Sequence, residues 1–455
     1  MTTDAANSNT PDTDTICAIA TPPGVGGIGI IRISGPQARD IAASMLDVKL
    51  TPRCAHFARF VDASGDTIDS GIALLFIAPA SFTGEDVVEL QAHGGPQILQ
   101  MLLSRASALG ARQARPGEFS ERAFLNNKLD LTQAEAIADL IGSATEASAR
   151  AAQRSLEGVF SKQVKELQQA MTDLRVFVEA SMDFPDEEID FLADSDVLDK
   201  LTGVCDRLQE LLDQAQQGQL LRDGINIAIA GIPNAGKSSL LNALAGKDAA
   251  IVTDVAGTTR DVLREHISLG GLPAHIIDTA GIREPVDCIE AEGVRRARDV
   301  LSKADLVLLV IDSCGDIEAQ QALRREVPDG IPCVEVYNKI DLTGHEAQTD
   351  EPGMKVWLSA KTGTGLTGLI QLVKTIVGAG AAYDGSFSAR KRHLDALGRA
   401  KAHVHTGYEQ LKHHDAPEIL AEELRLAQKD LSEITGEFLP DDLLGEIFSS
   451  FCIGK

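Results

Sequence analysis

Apolar residues along this chain fall into four successive rhythms. Between residues 14 and 120 they fall in short β-like runs, at 28–33, 72–77 and 87–90, parted by glycine and proline turns, with one helical pattern near 96–109. That mixture predicts a compact α+β domain. From about Asn126 the spacing becomes helical, and 129–218 is rich in Ala, Leu, Gln, Glu and Arg, with Pro185 as its only proline. Alternating strand and helix patterns fill 225 to about 377. A second helical stretch, 388–435, sets Leu394, Leu397, Leu411, Leu420, Leu424 and Leu431 on recurring turns. Two separate helical modules would each have little apolar surface to bury, so one bundle with the middle domain inserted into it is the simpler topology. The first ten residues, MTTDAANSNT, are polar and expected to lack fixed structure.

At 455 residues the length suits about three domains. The expected fold class is therefore multi-domain, α/β and α. An α+β domain spans 1–125, a helical domain comes in two parts, 126–223 and 378–455, and a Ras-like P-loop GTPase domain, 224–377, lies between them.

The middle domain carries its chemistry in an ordered motif series. An apolar run at 225–230 leads into GIPNAGKS, from Gly231 to Ser238, and then into a helical pattern. This strand–loop–helix context marks a phosphate loop, in which glycines let backbone N–H groups converge on phosphate oxygens. Asn234, Ala235, Gly236, Lys237, Ser238 and Ser239 form its business end. Lys237 suits the β- and γ-phosphates, and the Ser238 hydroxyl suits Mg²⁺. Downstream, DTAG comprises Asp278, Thr279, Ala280 and Gly281 at the end of a strand. Asp278 can hold Mg²⁺ through water, and the Gly281 N–H can reach the γ-phosphate. NKID, from Asn338 and Lys339 to Asp341, follows another apolar run. The Asp341 carboxylate can accept two hydrogen bonds from guanine, a pair that adenine cannot offer. Ser359, Ala360 and Lys361 close over the base. The series predicts a chain that binds GTP and hydrolyses it.

One position breaks the usual pattern. The residue after DTAG is Ile282, whose side chain cannot orient an attacking water as a glutamine does in small GTPases. Another polar group must do so, and Glu284, Glu290 and Glu292 are the acids nearby.

Composition narrows the context. With 42 basic against 67 acidic residues the formal charge is −25, so bulk electrostatics disfavour autonomous binding to a polyanion. Part of the excess lies in the acidic run 183–190, read as a solvated turn between helices. A nucleic-acid substrate would need a local basic patch or a basic partner. The seven cysteines lack C-x-x-C spacing, which disfavours disulfides and structural zinc and fits a reducing cytosol. Cys17, Cys54, Cys205, Cys314 and Cys333 read as small core residues. Cys288 falls in the switch loop, and Cys452 lies near the chain's end. No signal peptide and no apolar run of about 20 residues is present, so neither export nor membrane spanning is expected.

Several segments lie outside the general GTPase pattern. They are DTICAIATPPGVGGIGIIRISGP from Asp14, SFTGEDVVELQAHGGP from Ser81, RPGEFSERAFLNNKLDLTQAEAIADLI from Arg115, DFPDEEID from Asp183 and a terminal FCIGK. With the motif series they make the chain similar, nearly end to end, to the tRNA-modification GTPases of the MnmE (TrmE) family. The resemblance implies a cytosolic homodimer with a folate-binding N-terminal domain that also serves dimerisation. It implies a partner, the FAD-containing MnmG (GidA), with which the family installs an aminomethyl or carboxymethylaminomethyl group at C5 of wobble uridine in certain tRNAs. The one-carbon unit comes from 5-formyl-tetrahydrofolate or a related derivative.

The resemblance also assigns residues. Asn234, with the carbonyls of Thr253, Val255 and Thr258, matches the family's K⁺ site; a monovalent cation there supplies charge that an arginine finger gives elsewhere. Thr259 matches a second Mg²⁺ ligand, and Glu290 matches the residue that orients water. Arg32, Glu89, Lys128 and Lys455 match folate-binding positions, although Arg32 and Glu89 by themselves read rather as a surface ion pair. Cys452 matches a cysteine proposed to act in the modification chemistry. Its bland alternative is a small packed residue. Val25 departs from the family, where a basic residue is common. A regulatory or ribosome-assembly GTPase switch would share the nucleotide motifs but needs neither a folate pocket nor the CIGK ending.

Overall fold

The short runs near the N-terminus pair into a six-stranded sheet. Its strands are β1 (Ile16–Ile19), β2 (Gly26–Ser34), β3 (His56–Val61), β4 (Thr67–Phe76), β5 (Val87–Gly94) and β6 (Arg112–Gln113). They are ordered β3-β4-β5-β2-β1-β6, antiparallel except for β1 with β6. The computed structural model describes residues 14–183, 195–247, 264–278, 302–378, 385–437 and 441–454. The chain divides into two compact units, one from Met1–Ala138 with Thr435–Lys455, the other Asp139–Ile434.

Period-two alternation buries one face of the first sheet. Ile31, Ile33, Phe60, Ala73, Leu75 and Leu90 pack under helices α1 (Ala38–Met45) and α2 (Pro96–Ala108). The opposite face carries a cross-strand row of Phe57, Ile72, Gln91 and Ile30. Phe57 is 75% exposed and Ile72 40%.

Charges knit this unit together beside α3 (Glu118–Leu125). The Glu118 side chain, 1% exposed, accepts from Arg112 Nη2 at 2.5 Å, from the Arg115 N–H at 2.6 Å and from Arg122 Nη2 at 3.2 Å. Asp14 accepts from both Arg112 and Arg122, and Arg122 also reaches Glu85. Burial pushes the Glu118 carboxyl up, but Arg112 and the Arg115 N–H outweigh it and hold it below the usual carboxylate range. Asp14 is lowered chiefly by its hydrogen bond from Arg112.

Helix α4 (Leu131–Ile141) lies mostly in the first unit; the second holds α5 (Glu146–Leu156), α6 (Val159–Asp183) and α7 (Ser195–Asp223). After the inserted domain come α12 (Lys391–His414) and α13 (Pro417–Thr435). The inserted domain itself runs through β7 (Ile225–Ala230), α8 (Lys237–Lys247), β8 (Arg264–Leu269), β9 (Leu272–Asp278) and β10 (Leu306–Asp312). It continues with α9 (Ile317–Gln321), β11 (Cys333–Asn338), α10 (Ile340–Thr343), β12 (Gln348–Asp350), β13 (Lys355–Trp357) and α11 (Leu366–Ile376).

Phe160, Leu167, Leu174, Leu201 and Leu208 share one core with Leu397, Leu411, Leu420, Leu424 and Leu431, so the two helical stretches form a single bundle. The inserted sheet is ordered β12-β13-β11-β10-β7-β9-β8, with parallel central strands and antiparallel outer pairs. Its centre is buried on both faces, which is why 306–311 is a continuous apolar run. Asp139, at 6% side-chain exposure, gathers the passages into and out of this domain. It accepts from Arg222 Nε and Arg390 Nη2, each at 2.8 Å, and from the Ser388 hydroxyl at 2.8 Å.

The cysteine expectation needs correction. Cys17 and Cys333 are buried and Cys205 half-buried, but Cys54 and Cys314 are exposed, because both sit in loops beside strand ends rather than on inward strand positions. Burial raises the Cys333 thiol to about 11. Cys288 and the run 184–190 lie outside the described residues. Among the described residues no helix is long and apolar enough to cross a membrane.

Glu118→Gln leaves two guanidinium groups without their central counter-charge, and urea unfolding of the full chain is expected to register a loss of about 3–5 kcal/mol. Because the folded pKa values of Glu118 and Asp14 are lowered, their stabilisation is complete above about pH 5 and fades as pH falls through those values. A pH series of unfolding midpoints checks this; an identical acid dependence in the variant would contradict it.

Candidate functional site

The apolar strand β7 ends at Ala230, and the chain then turns through 231–236 into α8. Two positions in this turn admit only glycine. Gly231 has φ +148°, and a Cβ there would lie 2.5 Å from Val310 O. Gly236 has φ +98°, and its Cβ would lie 2.2 Å from Asn338 Nδ2. Asn234, exposed, adopts the left-handed φ of +65°, a conformation asparagine tolerates better than most residues. Ala235 is fully buried, while Ser238 and Ser239 are exposed at the start of α8. Lys237 Nζ donates to the carbonyls of Gly231 at 3.0 Å and Ile232 at 2.9 Å, so the ammonium is held within the loop it serves.

Asn338 joins the two halves of the nucleotide site. At 2% exposure, its Nδ2 donates to Ala235 O at 3.0 Å, and its Oδ1 accepts from the Ala360 N–H at 2.9 Å. One amide thus ties the phosphate loop, the end of β11 and the 359–361 loop. Ser359 Oγ donates to Asp341 Oδ1 at 2.6 Å, which fixes the carboxylate beside the 359–361 loop. Ala360 is nearly buried and Lys361 exposed. Asp278 ends β9 opposite Ile229 in register, placing its backbone beside the phosphate-loop strand. Thr253, Val255, Thr258, Thr259, Thr279, Ala280, Gly281, Ile282, Glu284, Glu290 and Glu292 lie outside the described residues.

Asp312 was not singled out by sequence, yet it faces this site. It pairs with Asn338 in the β10–β11 register and accepts from Lys339 Nζ at 2.6 Å. Its other oxygen accepts from the Cys314 N–H at 2.9 Å, and the buried Gln320 amide binds both its backbone N–H and carbonyl. Burial raises the Asp312 carboxyl, but Lys339 and the Cys314 N–H overcome it and the value is lowered. Lys339 has φ +70°, so this ion pair holds a strained backbone residue in the base-reading loop. The readable signal was an acid at the C-terminal end of an apolar strand, the edge where such sheets bind ligands.

In the other unit, Arg32 on β2 and Glu89 on β5 are direct cross-strand partners. Arg32 Nε and Nη2 both reach Glu89 Oε1, at 2.9 and 2.8 Å, with side-chain exposures of 18% and 17%. The guanidinium carbon lies 5.5 Å from the Phe82 ring centre and 5.7 Å from that of Phe119. Lys128, exposed, donates to Pro79 O at 2.9 Å. Cys452 is exposed, and its carbonyl accepts from the Gly117 N–H at 3.3 Å. Val25 is 92% exposed on the β1–β2 connection, and Lys455 lies outside the described residues.

Asp312→Asn is expected to weaken GDP binding by about tenfold, the scale of one charge-assisted hydrogen bond, with kcat held within about twofold. Nucleotide titration and steady-state kinetics check it; an unchanged Kd would remove Asp312 from the site.

Comparison with known proteins agrees with this layout. The family description "MnmE helical domain" matches residues 131–452, and "GTP-binding protein TrmE N-terminus" matches 15–128. A protein of Methylococcus capsulatus called tRNA modification GTPase MnmE is 56% identical, with 98% of this chain and 99% of that one aligned. Proteins of the same name from Chromohalobacter salexigens, 56% identical over 97% of this chain and 98% of theirs, and Legionella pneumophila (strain Corby), 55% identical over 97% and 99%, are similar throughout. Alike over nearly its whole length to these proteins and matched by both family descriptions, this chain belongs to the MnmE family.

Proposed function

We propose that the chain is a GTPase of tRNA modification, assisted by K⁺, that acts as a homodimer in the cytosol with the flavin-containing partner MnmG. Together they place an aminomethyl or carboxymethylaminomethyl group at C5 of wobble uridine. The observation that carries this reading is Asn338, which preassembles the phosphate and base loops in a chain alike end to end to proteins named tRNA modification GTPases. The exposed row of Phe57 and Ile72 on the uncovered sheet face supports pairing with a second copy.

The chain's own groups divide the work. Backbone N–H groups of 234–239 and the N-terminus of α8 receive phosphate oxygens, and Lys237 leaves its loop carbonyls to neutralise them. Asp341, steadied by Ser359, reads guanine N1–H and the exocyclic amine. The exposed Ser238 hydroxyl, with Thr259, suits the hard, oxygen-preferring Mg²⁺. The exposed Asn234 amide oxygen, with the carbonyls of 253, 255 and 258, suits K⁺, whose charge supports the β–γ bridge when bound. Glu290 orients the attacking water in place of the side chain that Ile282 lacks. In the N-terminal unit Glu89 matches a pterin's amino-pyrimidine edge, and Lys128 and Lys455 suit the glutamate tail of a reduced folate. Cys452 offers an exposed thiol to the modification step.

Mass spectrometry of wobble uridines from cells lacking the chain is expected to find the C5 group missing; its persistence would leave a GTPase switch instead. Purified protein is expected to turn over GTP at least about tenfold faster in K⁺ than in Na⁺, and equal rates would sink the role of Asn234. Glu290→Ala is expected to keep fluorescent-GTP binding and lose about a hundredfold in turnover. Undiminished turnover would pass the role to Glu284 or Glu292.

A further inference from the structure

The loop 79–86 touches two basic groups of the N-terminal unit. Its Phe82 ring centre is 5.5 Å from the Arg32 guanidinium carbon, and its Pro79 carbonyl accepts from Lys128 Nζ at 2.9 Å. Gly84, at φ +82°, meets the end of α3, where a Cβ would fall 3.0 Å from Asn126 Cβ and 3.3 Å from Lys128 Cγ. Helix α3 itself ends in a left-handed turn. Asn127 has φ +55°, and the Lys128 N–H bonds back to Ala123 O at 2.8 Å.

One buried residue ties this loop on both sides. The Thr83 hydroxyl meets Ser34 Oγ at 2.7 Å, and the Thr83 carbonyl accepts from Asn126 Nδ2, also at 2.7 Å. Donor and acceptor roles follow from the groups present. Ser34 gives its only proton to Glu85 Oε2 at 2.6 Å, so the Thr83 hydroxyl donates to Ser34 and accepts from the Glu85 N–H at 3.2 Å. Ser34 follows Arg32 by two positions on β2, on the same face of the strand. Through Thr83, the strand that carries Arg32 is joined to the helix end that carries Lys128.

We propose that Asn126 is a positioning residue for Lys128: its amide anchors the loop at Thr83, and the anchored loop holds the Lys128 side chain at a set reach from the Arg32–Glu89 pair. The inference rests on the reading of Glu89 and Lys128 as groups that meet a reduced folate at its pterin edge and its glutamate tail. A ligand read at both ends is selected by the spacing of the two groups as well as by their charge. Fixing that spacing beforehand spares the entropy of ordering a long lysine stem on binding. The ammonium bonded to Pro79 O still has donors to offer a carboxylate.

Asn126→Ala removes the donor and keeps the Cβ that Gly84 packs against, while Asn126→Leu fills the amide's space without the donor. In the full chain, either change is expected to weaken binding of 5-formyl-tetrahydrofolate by about tenfold, the scale of one hydrogen bond. Without ligand, either is expected to speed amide exchange at Glu85 while β2 and β5 keep their protection. Lys128→Ala alone is expected to weaken the folate by about tenfold or more. Adding Asn126→Ala to it is expected to cost less than about twofold further, because the amide acts only through the lysine. Unchanged folate affinity in both Asn126 variants, or losses that multiply in the Lys128→Ala background, would overturn the proposal. Failure of the original chain to bind the folate would sink the folate reading instead, and the anchor would then be judged on Glu85 exchange alone.

Discussion

The whole arrangement depends on one hydrophobic core shared by two stretches of chain with a complete domain between them. Leu201 and Leu208 on α7 pack with Leu397 and Leu411 on α12, so the inserted domain must leave the bundle and return to nearly the same place. A buried carboxylate enforces that closure. Asp139 binds Arg222, just before the domain begins, and Arg390, just after it ends. Removing the acid would take away the one carboxylate that Arg222 and Arg390 share, which is more costly than never having built the pair.

Local periodicity was legible because it answers only to local geometry. The leucines at 397, 411, 420, 424 and 431 are all buried, and the runs at 28–33, 72–77 and 87–90 all became strands of one sheet. The phosphate loop was legible because its glycines are forced by close approach, most sharply at Gly236 against Asn338. Long-range polar contacts were not. Asp139 and Arg390 are 251 residues apart, and no spacing rule connects them. Asp312 escaped notice for a similar reason, since its partner Lys339 sits on the neighbouring strand's end. Loop position also defeated the reading of Cys54 and Cys314, because a small apolar residue outside an alternating run carries no sign of which way it faces.

The two candidate sites use side chains in opposite ways. In the nucleotide domain, Asn338, Ser359 and Lys237 are all spent on holding loops. Beside β2 the charged groups satisfy one another, as Arg32 and Glu89 do in their cross-strand ion pair. A strongly acidic chain can still match its charges locally, as around Glu118, where Arg112, Arg115 and Arg122 meet Asp14, Glu85, Glu118 and Glu121.

The junction at Gly224 has a mechanical meaning. Helix α7 ends at Asp223 and β7 begins at Ile225, with the Gly224 N–H still bonded to Leu220 O. A glycine at φ +68°, where a Cβ would fall 2.8 Å from Pro273 O, is the whole connection. There is no slack to absorb motion. A helix of this length, 29 residues, measures about 43 Å, so a tilt of about 5° at the strand sweeps its far end by about 4 Å. The strand that carries the phosphate loop is thus the short arm of a lever whose long arm lies in the bundle.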